Sequence, residues 1–128
     1  MSAGFPNLFM ITGPGSPSIL TNVVMSIEQH VEWIARCIAT MQQRGEALVE
    51  PEIDAEDAWV DHLREIAVKT LHFGAPSWYM GANVPGKPRV FLPYVGGLGT
   101  YTELCEKVVA EGYRGFRFTP APRAGMVA

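Results

Sequence analysis

The chain has 128 residues, of which 48% are hydrophobic and 18% charged, and its formal net charge is −3 at pH 7. This composition is typical of a folded domain and excludes a disordered chain, because enough apolar surface is present to build a core. The weakly acidic balance provides no basic surface for nucleic acid or an anionic membrane, so we expect neither partner. No apolar run approaches the roughly 18 residues of a membrane-spanning helix.

The two cysteines, Cys37 and Cys105, fall inside segments with a helical pattern. The first residues lack the basic region and apolar segment of a secretory leader. Together these features predict two reduced thiols in the core of a cytoplasmic protein.

The first predicted elements are a strand, a turn and a helix. The apolar run Leu8 to Ile11 predicts a short buried strand, and the residues from Gly13 to Ser18 form a turn rich in Gly and Pro. A helical pattern follows from Asn22 to Arg44. The first N–H groups of a helix have no intrahelical partner and carry partial positive charge, and glycine permits close approach. On residue types alone, this segment is predicted either to present the helix end to the anionic or carbonyl oxygens of a ligand or to be simply a tight turn that joins the strand to the helix.

The ends of this helix have local sequence signals. Thr21 or Asn22 is the predicted N-cap, Ser26 with Gln29 is an alternative capping box, and Gly45 is suited to the position after the last turn. The predicted buried stripe comprises Ile27, Val31, Ile34, Ile38 and Met41.

A connection from Glu46 to Ile53 precedes a second predicted helix, from Ala55 to Leu71 with Asp54 as its cap. The apolar stripe of this helix comprises Trp59, Leu63, Ile66 and Thr70. Residues 75–99 are rich in Pro and Gly and predict a long loop, in which Val90 to Tyr94 is the one plausible strand. A loop of this length is usually functional.

A third helix is predicted from a Thr100/Glu103 capping box to a stop at Gly112. Phe116 and Phe118 alternate as in a last short strand, and the tail from residue 119 to residue 128 is expected to be loose. The predicted fold class is α/β (or α+β), with three main helices and a few short strands.

Several stretches resemble functional motifs but lack a residue or spacing that the motif requires. The turn begins like a dinucleotide-binding fingerprint, but Ser18 stands where that motif requires Gly or Ala. The GxxxxGK pattern ending at Lys87 is followed by Pro88, which lacks the hydroxyl that a P-loop uses to bind Mg²⁺. The histidines show no metal-ligand spacing, so no metal is expected, and His30 is predicted to be a hydrogen-bonded core residue.

Specific stretches of the sequence carry a family resemblance. They are Gly4–Ser18 (GFPNLFMITGPGSPS), Ser26–Trp33 (SIEQHVEW), Glu56–Trp59 (EDAW), Ser77–Val90 (SWYMGANVPGKPRV) and Gly112–Phe116 (GYRGF). In order and spacing they resemble the C-terminal part of the Baeyer–Villiger flavin monooxygenases of the phenylacetone and cyclohexanone type. The similarity covers nearly the whole chain, although enzymes of this family are several times longer.

The resemblance implies a set of site residues. Family enzymes use FAD, NADPH and O₂ to convert a ketone into an ester or lactone. By the resemblance, the residues near the flavin are Gly13, Pro14, Asn22 and Val23, and those lining the ketone pocket are Ser18, Ile19 and Leu20. Trp78 would contact the nicotinamide cofactor from a mobile loop, whereas the residue types alone favour Trp78 and Tyr79 as core aromatics.

The resemblance also implies an organisation. Residues 1–50 would be the last strand and helix of an FAD-binding domain. Residues 51–128 would be a C-terminal helical segment with a cofactor-closing loop at 75–99. The two GxGxxG motifs and the active-site arginine belong to a family region outside this sequence, so this chain has no predicted catalytic residue.

The resemblance also gives expectations for cofactors and partners. We expect no tight binding of FAD or NADPH to this chain alone, and no independent oxygenation. The expected partners are the rest of the flavoenzyme, a self-association partner and, when the enzyme is complete, a ketone. The alternatives are a non-catalytic interaction or oligomerisation module, or the remnant of a truncated gene.

Overall fold

The computed structural model describes residues 1–17, 21–71, 78–81, 84–86 and 88–120. Within these ranges the helices are α1 (Val23–Arg44), α2 (Ile53–Ala67), a 3₁₀ helix (Trp78–Met80) and α3 (Leu98–Ala110). The strands are β1 (Glu46–Pro51) and β2 (Phe116–Pro120). These elements confirm the predicted α/β class with three main helices.

The two strands form an antiparallel pair in which Val49 lies opposite Phe118 and Pro51 opposite Phe116. An ion pair between Glu50 and Arg117 joins the strands on their exposed side. The connection predicted from Glu46 to Ile53 is therefore wrong over most of its length, because it forms β1. A strand with a proline and two glutamates has weak local propensity, and here it is stabilised by a partner distant in sequence.

Helix α1 has the ends that its sequence predicts. The side chain of Asn22 accepts a hydrogen bond from the Val24 N–H at 3.0 Å, which confirms Asn22 as the N-cap. Gly45 follows the last turn with a φ of 68°, a left-handed conformation that glycine adopts at little cost. The alternative start at Ser26 is wrong, because Ser26 is buried within the helix and its hydroxyl donates to the Pro17 carbonyl at 3.0 Å.

The buried face of α1 differs from the predicted stripe. The buried residues are Ser26, His30, Cys37 and Met41. Of the predicted stripe, Met41 is buried, but Ile27, Val31 and Ile38 are 37%, 47% and 41% exposed. Periodicity identifies an apolar face correctly, yet it does not decide which face packs within the chain. In this structure the adjacent face of α1 packs against the rest of the chain, and most of the predicted face is exposed to solvent.

The main core lies between α1 and the strand pair. It is built on Cys37, Met41, Val49 and Tyr113. Trp33 packs edge-on against Tyr113, with ring centroids 5.5 Å apart, and also contacts Phe116. This core fixes the orientation of α1 relative to the sheet.

Helix α2 starts before its predicted cap and also ends early. It begins at Ile53, so Asp54 lies in the first turn rather than at the cap. The Glu52 N–H donates to the Gly115 carbonyl at 2.8 Å, and this tertiary bond sets where the helix starts. At the other end, the N–H and hydroxyl of Thr70 both donate to the Ala67 carbonyl, which closes a turn in place of the predicted extension to Leu71.

Helix α3 begins at Leu98 rather than at Thr100, which makes the predicted capping box wrong. Gly97 precedes the helix with a φ of 86°, and its carbonyl accepts the Tyr101 N–H at 3.1 Å. A glycine with this backbone conformation therefore starts the helix where a side-chain cap was expected.

Two predicted strands are wrong. Residues 8–11 form no ladder with any described residue, and a strand is stable only where another strand pairs with it. Residues 90–94 are also outside any ladder, although their backbone makes hydrogen bonds that matter for the site. Strand β2 is confirmed, and it includes Thr119 and Pro120, which were assigned to the loose tail. The rest of that tail, residues 121–128, lies outside the described residues.

Candidate functional site

The Gly-Pro turn, residues 12–17, lies alongside the first half of α1. The Thr12 N–H donates to Nδ1 of His30 at 3.1 Å, and the Pro17 carbonyl accepts the Ser26 hydroxyl. His30 and Ser26 are one helical turn apart on the buried face of α1. Both ends of the turn are therefore fixed to the same face of the helix.

The opposite side of the turn is held by residues 92–94. The Gly15 N–H donates to the Leu92 carbonyl at 2.7 Å, and the Tyr94 N–H donates to the Ser16 carbonyl at 3.0 Å. The Leu92 N–H in turn donates to the Tyr79 carbonyl at 2.9 Å, in the 3₁₀ helix. Leu92 thus connects the Gly-Pro turn by backbone hydrogen bonds to the segment that contains Trp78.

Helix α2 contributes an aromatic contact to the same turn. Nε1–H of Trp59 donates to the Gly15 carbonyl at 3.3 Å. Gly15 has a φ of 80°, and a Cβ added there would lie 2.6 Å from Nε1 of Trp59. Glycine is required at this position both by its backbone conformation and by the close approach of the indole ring.

The amino end of α1 is accessible on the surface. Val23, Val24 and Met25 are 46%, 61% and 55% exposed, and no acidic residue lies in the first turn. The positive end of the helix dipole is therefore not neutralised from within that turn, and a negatively charged group can approach it.

The predicted cofactor residues are located as follows. Pro14, Asn22 and Val23 are exposed, and Gly13 is half-buried. Gly13 and Pro14 belong to the Gly-Pro turn, and Asn22 and Val23 start the helix against which that turn packs. Ser18, Ile19 and Leu20 lie outside the described residues, as does the side chain of Trp78.

A cavity of about 290 Å³ lies beneath the Gly-Pro turn, between the three helices. Its apolar wall includes Phe9, Met10, Trp33, Trp59, Tyr101, Val108 and Phe116, and its polar wall includes Gln29, His30 and Cys105. The cavity is partly open to solvent, so a small molecule can enter it.

His30 is a buried polar residue of the cavity wall. It is 7% exposed, and its ring packs edge-on against Tyr101 with centroids 5.6 Å apart. Burial lowers the pKa of His30, and the positive N-terminal amino group lowers it further. Because Nδ1 accepts the Thr12 N–H, the proton of the neutral ring lies on Nε2. Nε2 is buried and has no hydrogen-bond partner among the described residues.

Cys105 and Tyr101 adjoin His30 along α3. Burial raises the pKa of Cys105, although hydrogen bonds to Gln29 and Tyr101 oppose the rise. Burial also raises the pKa of Tyr101, so both groups are neutral near pH 7. Together with neutral His30, they form an uncharged polar part of the cavity wall.

Sequence reasoning missed one group of residues at this site. Tyr94 and Tyr101 pack with Trp59 and His62 in a cluster of rings beneath the Gly-Pro turn. Trp59 was assigned to a helix stripe and Tyr94 to a strand, and neither pattern shows that the two meet. Their aromatic character was the one available signal.

In the described part of the chain no three His, Cys, Asp or Glu side chains are grouped as metal ligands would be. None of the described helices is both long enough and apolar enough to cross a bilayer.

Comparison with known proteins identifies the family. No protein-family model matches the chain. A Baeyer–Villiger monooxygenase of Pseudooceanicola batsensis is 48% identical over 113 residues, which is 88% of this chain and 20% of that protein. The acetone monooxygenase (methyl acetate-forming) of Gordonia sp. is 41% identical over 117 residues, which is 91% of this chain and 22% of that protein.

A solved structure agrees with these relatives. The crystal structure of cyclohexanone monooxygenase from Rhodococcus sp. Phi1 bound to NADP⁺ superposes with a TM-score of 0.86 at 43% identity, covering 94% of this chain and 22% of that one. The chain therefore corresponds to a portion of a Baeyer–Villiger monooxygenase. A steroid monooxygenase bound to NADP gives a TM-score of 0.84 at 42% identity, with the same coverage of both chains. In each comparison the chain spans about a fifth of the monooxygenase that it matches.

Proposed function

We propose that this chain forms the C-terminal portion of an FAD- and NADPH-dependent Baeyer–Villiger monooxygenase, which converts a ketone and O₂ into an ester or lactone. We further propose that it is inactive without the rest of that enzyme. The observation that supports this most is the exposed amino end of α1, beside a Gly-Pro turn held on three sides.

In this proposal Gly13, Pro14, Asn22 and Val23 lie against the flavin. FAD would supply the oxygen-transfer chemistry when bound. The chain would contribute the positive end of α1, which favours negative charge on the reduced flavin. The lack of an acidic residue in the first turn of α1 fits that role.

The remaining predicted residues have related roles. Ser18, Ile19 and Leu20 would shape the ketone pocket, and Trp78 would contact the nicotinamide. The backbone bonds from Tyr79 through Leu92 to Gly15 support this assignment, since they join the Trp78 segment to the turn next to the flavin. A single rigid connection would then position both cofactor contacts.

The exposed apolar face of α1 indicates that the chain binds a larger polypeptide partner. Val24, Ile27, Val31 and Ile38 recur at helical spacing and are 61%, 37%, 47% and 41% exposed. A contiguous apolar face of this kind marks an interaction surface. Since the relatives are about five times longer, we propose that the rest of the flavoenzyme covers it.

A chimera tests the proposal. The matching region of the Pseudooceanicola batsensis enzyme, 48% identical, is replaced by this chain, and bound FAD and ketone-dependent NADPH oxidation are measured. We expect a yellow enzyme with ketone-dependent oxidation, whereas the chain alone shows neither. A folded chimera that binds no FAD, or oxidation by the chain alone, would contradict the proposal.

A second candidate function, a non-catalytic oligomerisation module, is favoured by the same exposed face of α1. If the face joins two copies, the chain is a dimer by light scattering, and Val31→Glu makes it a monomer. If the face belongs to the flavoenzyme, the same substitution lowers the FAD content of the chimera.

A further inference from the structure

We propose that the cavity beneath the Gly-Pro turn is a binding site for a neutral, two-ring aromatic molecule that carries one hydrogen-bond acceptor and one donor, such as a bicyclic lactam. Gly13 and Pro14, which the proposed function places against the flavin, also line this cavity, whereas Asn22 and Val23 at the exposed end of α1 do not. The inference rests on the cavity itself and does not depend on the proposed function.

The size of the cavity sets the size of the ligand. An apolar cavity of about 150 Å³ stays dry and holds one benzene ring. The cavity here, at about 290 Å³, is nearly twice as large and admits two fused rings. Trp33, Trp59 and Tyr101 provide aromatic surfaces against which such rings pack.

The polar wall sets the position of the hydrogen bonds. Only 7% of His30 is exposed, and its Nε2–H has no acceptor among the described residues. Oε1 of Gln29 is likewise buried and has no described donor. Both residues line the cavity, so a ligand inside it can accept from His30 and donate to Gln29.

The charged groups that line the cavity already have partners, which favours a neutral ligand. The positive Met1 amino group and the Glu56 carboxylate both line the cavity and attract each other. The Glu56 carboxylate accepts from the Ser2 hydroxyl at 2.8 Å and from the Ala3 N–H at 2.9 Å. Arg114 is 79% exposed in its side chain and pairs with Glu111. A buried charged ligand would therefore lack a counter-ion and would be disfavoured by desolvation.

The test uses 2-quinolone, a neutral bicyclic lactam, as the probe. It is titrated into the full ¹⁵N-labelled chain at pH 7.5 while the indole N–H signals of Trp33 and Trp59 are followed by NMR. We expect both signals to shift saturably, and naphthalene, which has the same rings without polar atoms, to bind about fivefold more weakly. A folded chain whose signals show no saturable shift would overturn the proposal, since water alone would then fill the cavity.

Variants locate the probe. His30→Asn keeps an acceptor for the Thr12 N–H but has no donor at the position of Nε2, and Gln29→Met removes the acceptor at similar length. Each is expected to weaken 2-quinolone binding about fivefold and to leave naphthalene binding unchanged. Val68→Ala, at an exposed valine after α2 that does not line the cavity, is the control and should change neither.

The outcomes are decisive even if one variant fails to fold. Should His30→Asn unfold, Gln29→Met and the comparison of the two probes still decide. Equal affinity for 2-quinolone in the parent chain and Gln29→Met, with no preference over naphthalene, would overturn the proposal. The titration contains no flavin, so its failure would not affect the proposed function, and failure of the chimera would not affect this site.

Discussion

The rings of Trp59 and Tyr94 are stacked almost parallel, with 6° between their planes and 5.6 Å between their centroids. Each residue also holds the Gly-Pro turn by a hydrogen bond, Trp59 to the Gly15 carbonyl and Tyr94 to the Ser16 carbonyl. Helix α2 and the segment 92–94 therefore both hold the Gly-Pro turn in place. The stacked rings of Trp59 and Tyr94 link these two parts of the chain.

The Trp59 hydrogen bond can be removed while aromatic packing is kept. Trp59→Phe loses the donor to Gly15 and should lower the free energy of unfolding by about 1 kcal/mol. Tyr94→Ala removes a side chain that is 2% exposed and should cost about 3 kcal/mol or more. Urea denaturation measures both values. Equal losses in the two variants would contradict the separate roles given to the hydrogen bond and the packed ring.

Gly15 is predicted to be far less tolerant of a side chain than Gly45. Both have positive φ, but a Cβ at Gly45 meets nothing within 4 Å, while one at Gly15 lies 2.6 Å from Nε1 of Trp59. Gly45→Ala should therefore cost the backbone strain alone, about 1 kcal/mol, and Gly15→Ala more. In the Trp59→Phe background, where Nε1 is absent, the extra cost should shrink. An unchanged cost in that double variant would rule out the clash.

Acid should destabilise the chain through His30. Burial lowers its pKa in the folded state, so the unfolded chain binds a proton more readily. The stabilisation is complete above the ordinary histidine pKa of about 6.5 and is lost as the pH falls from there through the lowered value. Protonation at Nδ1 also removes the acceptor for the Thr12 N–H. Unfolding measured between pH 7.5 and pH 5 should show a shallower loss in His30→Asn, and identical slopes would contradict this.

Cys37 should be chemically inert in the folded chain. It is fully buried, and burial raises the pKa of its thiol to about 11, although Arg44 acts in the opposite direction. Only the thiolate reacts rapidly with alkylating agents. Mass spectrometry after iodoacetamide treatment at pH 8 should find Cys37 unmodified without urea and modified in urea. Equal labelling in both conditions would show that the core opens readily.

The sequence predicted correctly those features, such as the ends of α1, that depend on interactions between residues close together in the chain. Asn22 and Gly45 bound α1 because each satisfies backbone groups within a few residues of itself. Two predictions were wrong: the apolar stripe of α1 that includes Val31 is exposed, and the segment that ends at Pro51 is a strand. Both features depend on contacts with segments distant in sequence, which no local pattern encodes.

The candidate site shows the same division. His30 was correctly predicted to be a hydrogen-bonded core residue, but its partner, the Thr12 N–H, is set by the conformation of a turn that lies 18 residues earlier. The contact of Trp59 with Tyr94 and the cavity beneath the turn arise only when three helices come together. The resemblance to a family supplied predicted site residues, such as Asn22 and Val23, that residue patterns alone did not.

The central claim is that the amino end of α1 faces the flavin, and the reduction potential of FAD in the chimera tests it most directly. Val23→Glu places a negative charge at that end, and Val68→Glu, at a valine that is 53% exposed after α2, is the control. We predict that Val23→Glu lowers the two-electron potential by about 10–30 mV, because the helix end then stabilises the reduced flavin less. A chimera that binds FAD and has the same potential in both variants would contradict the claim.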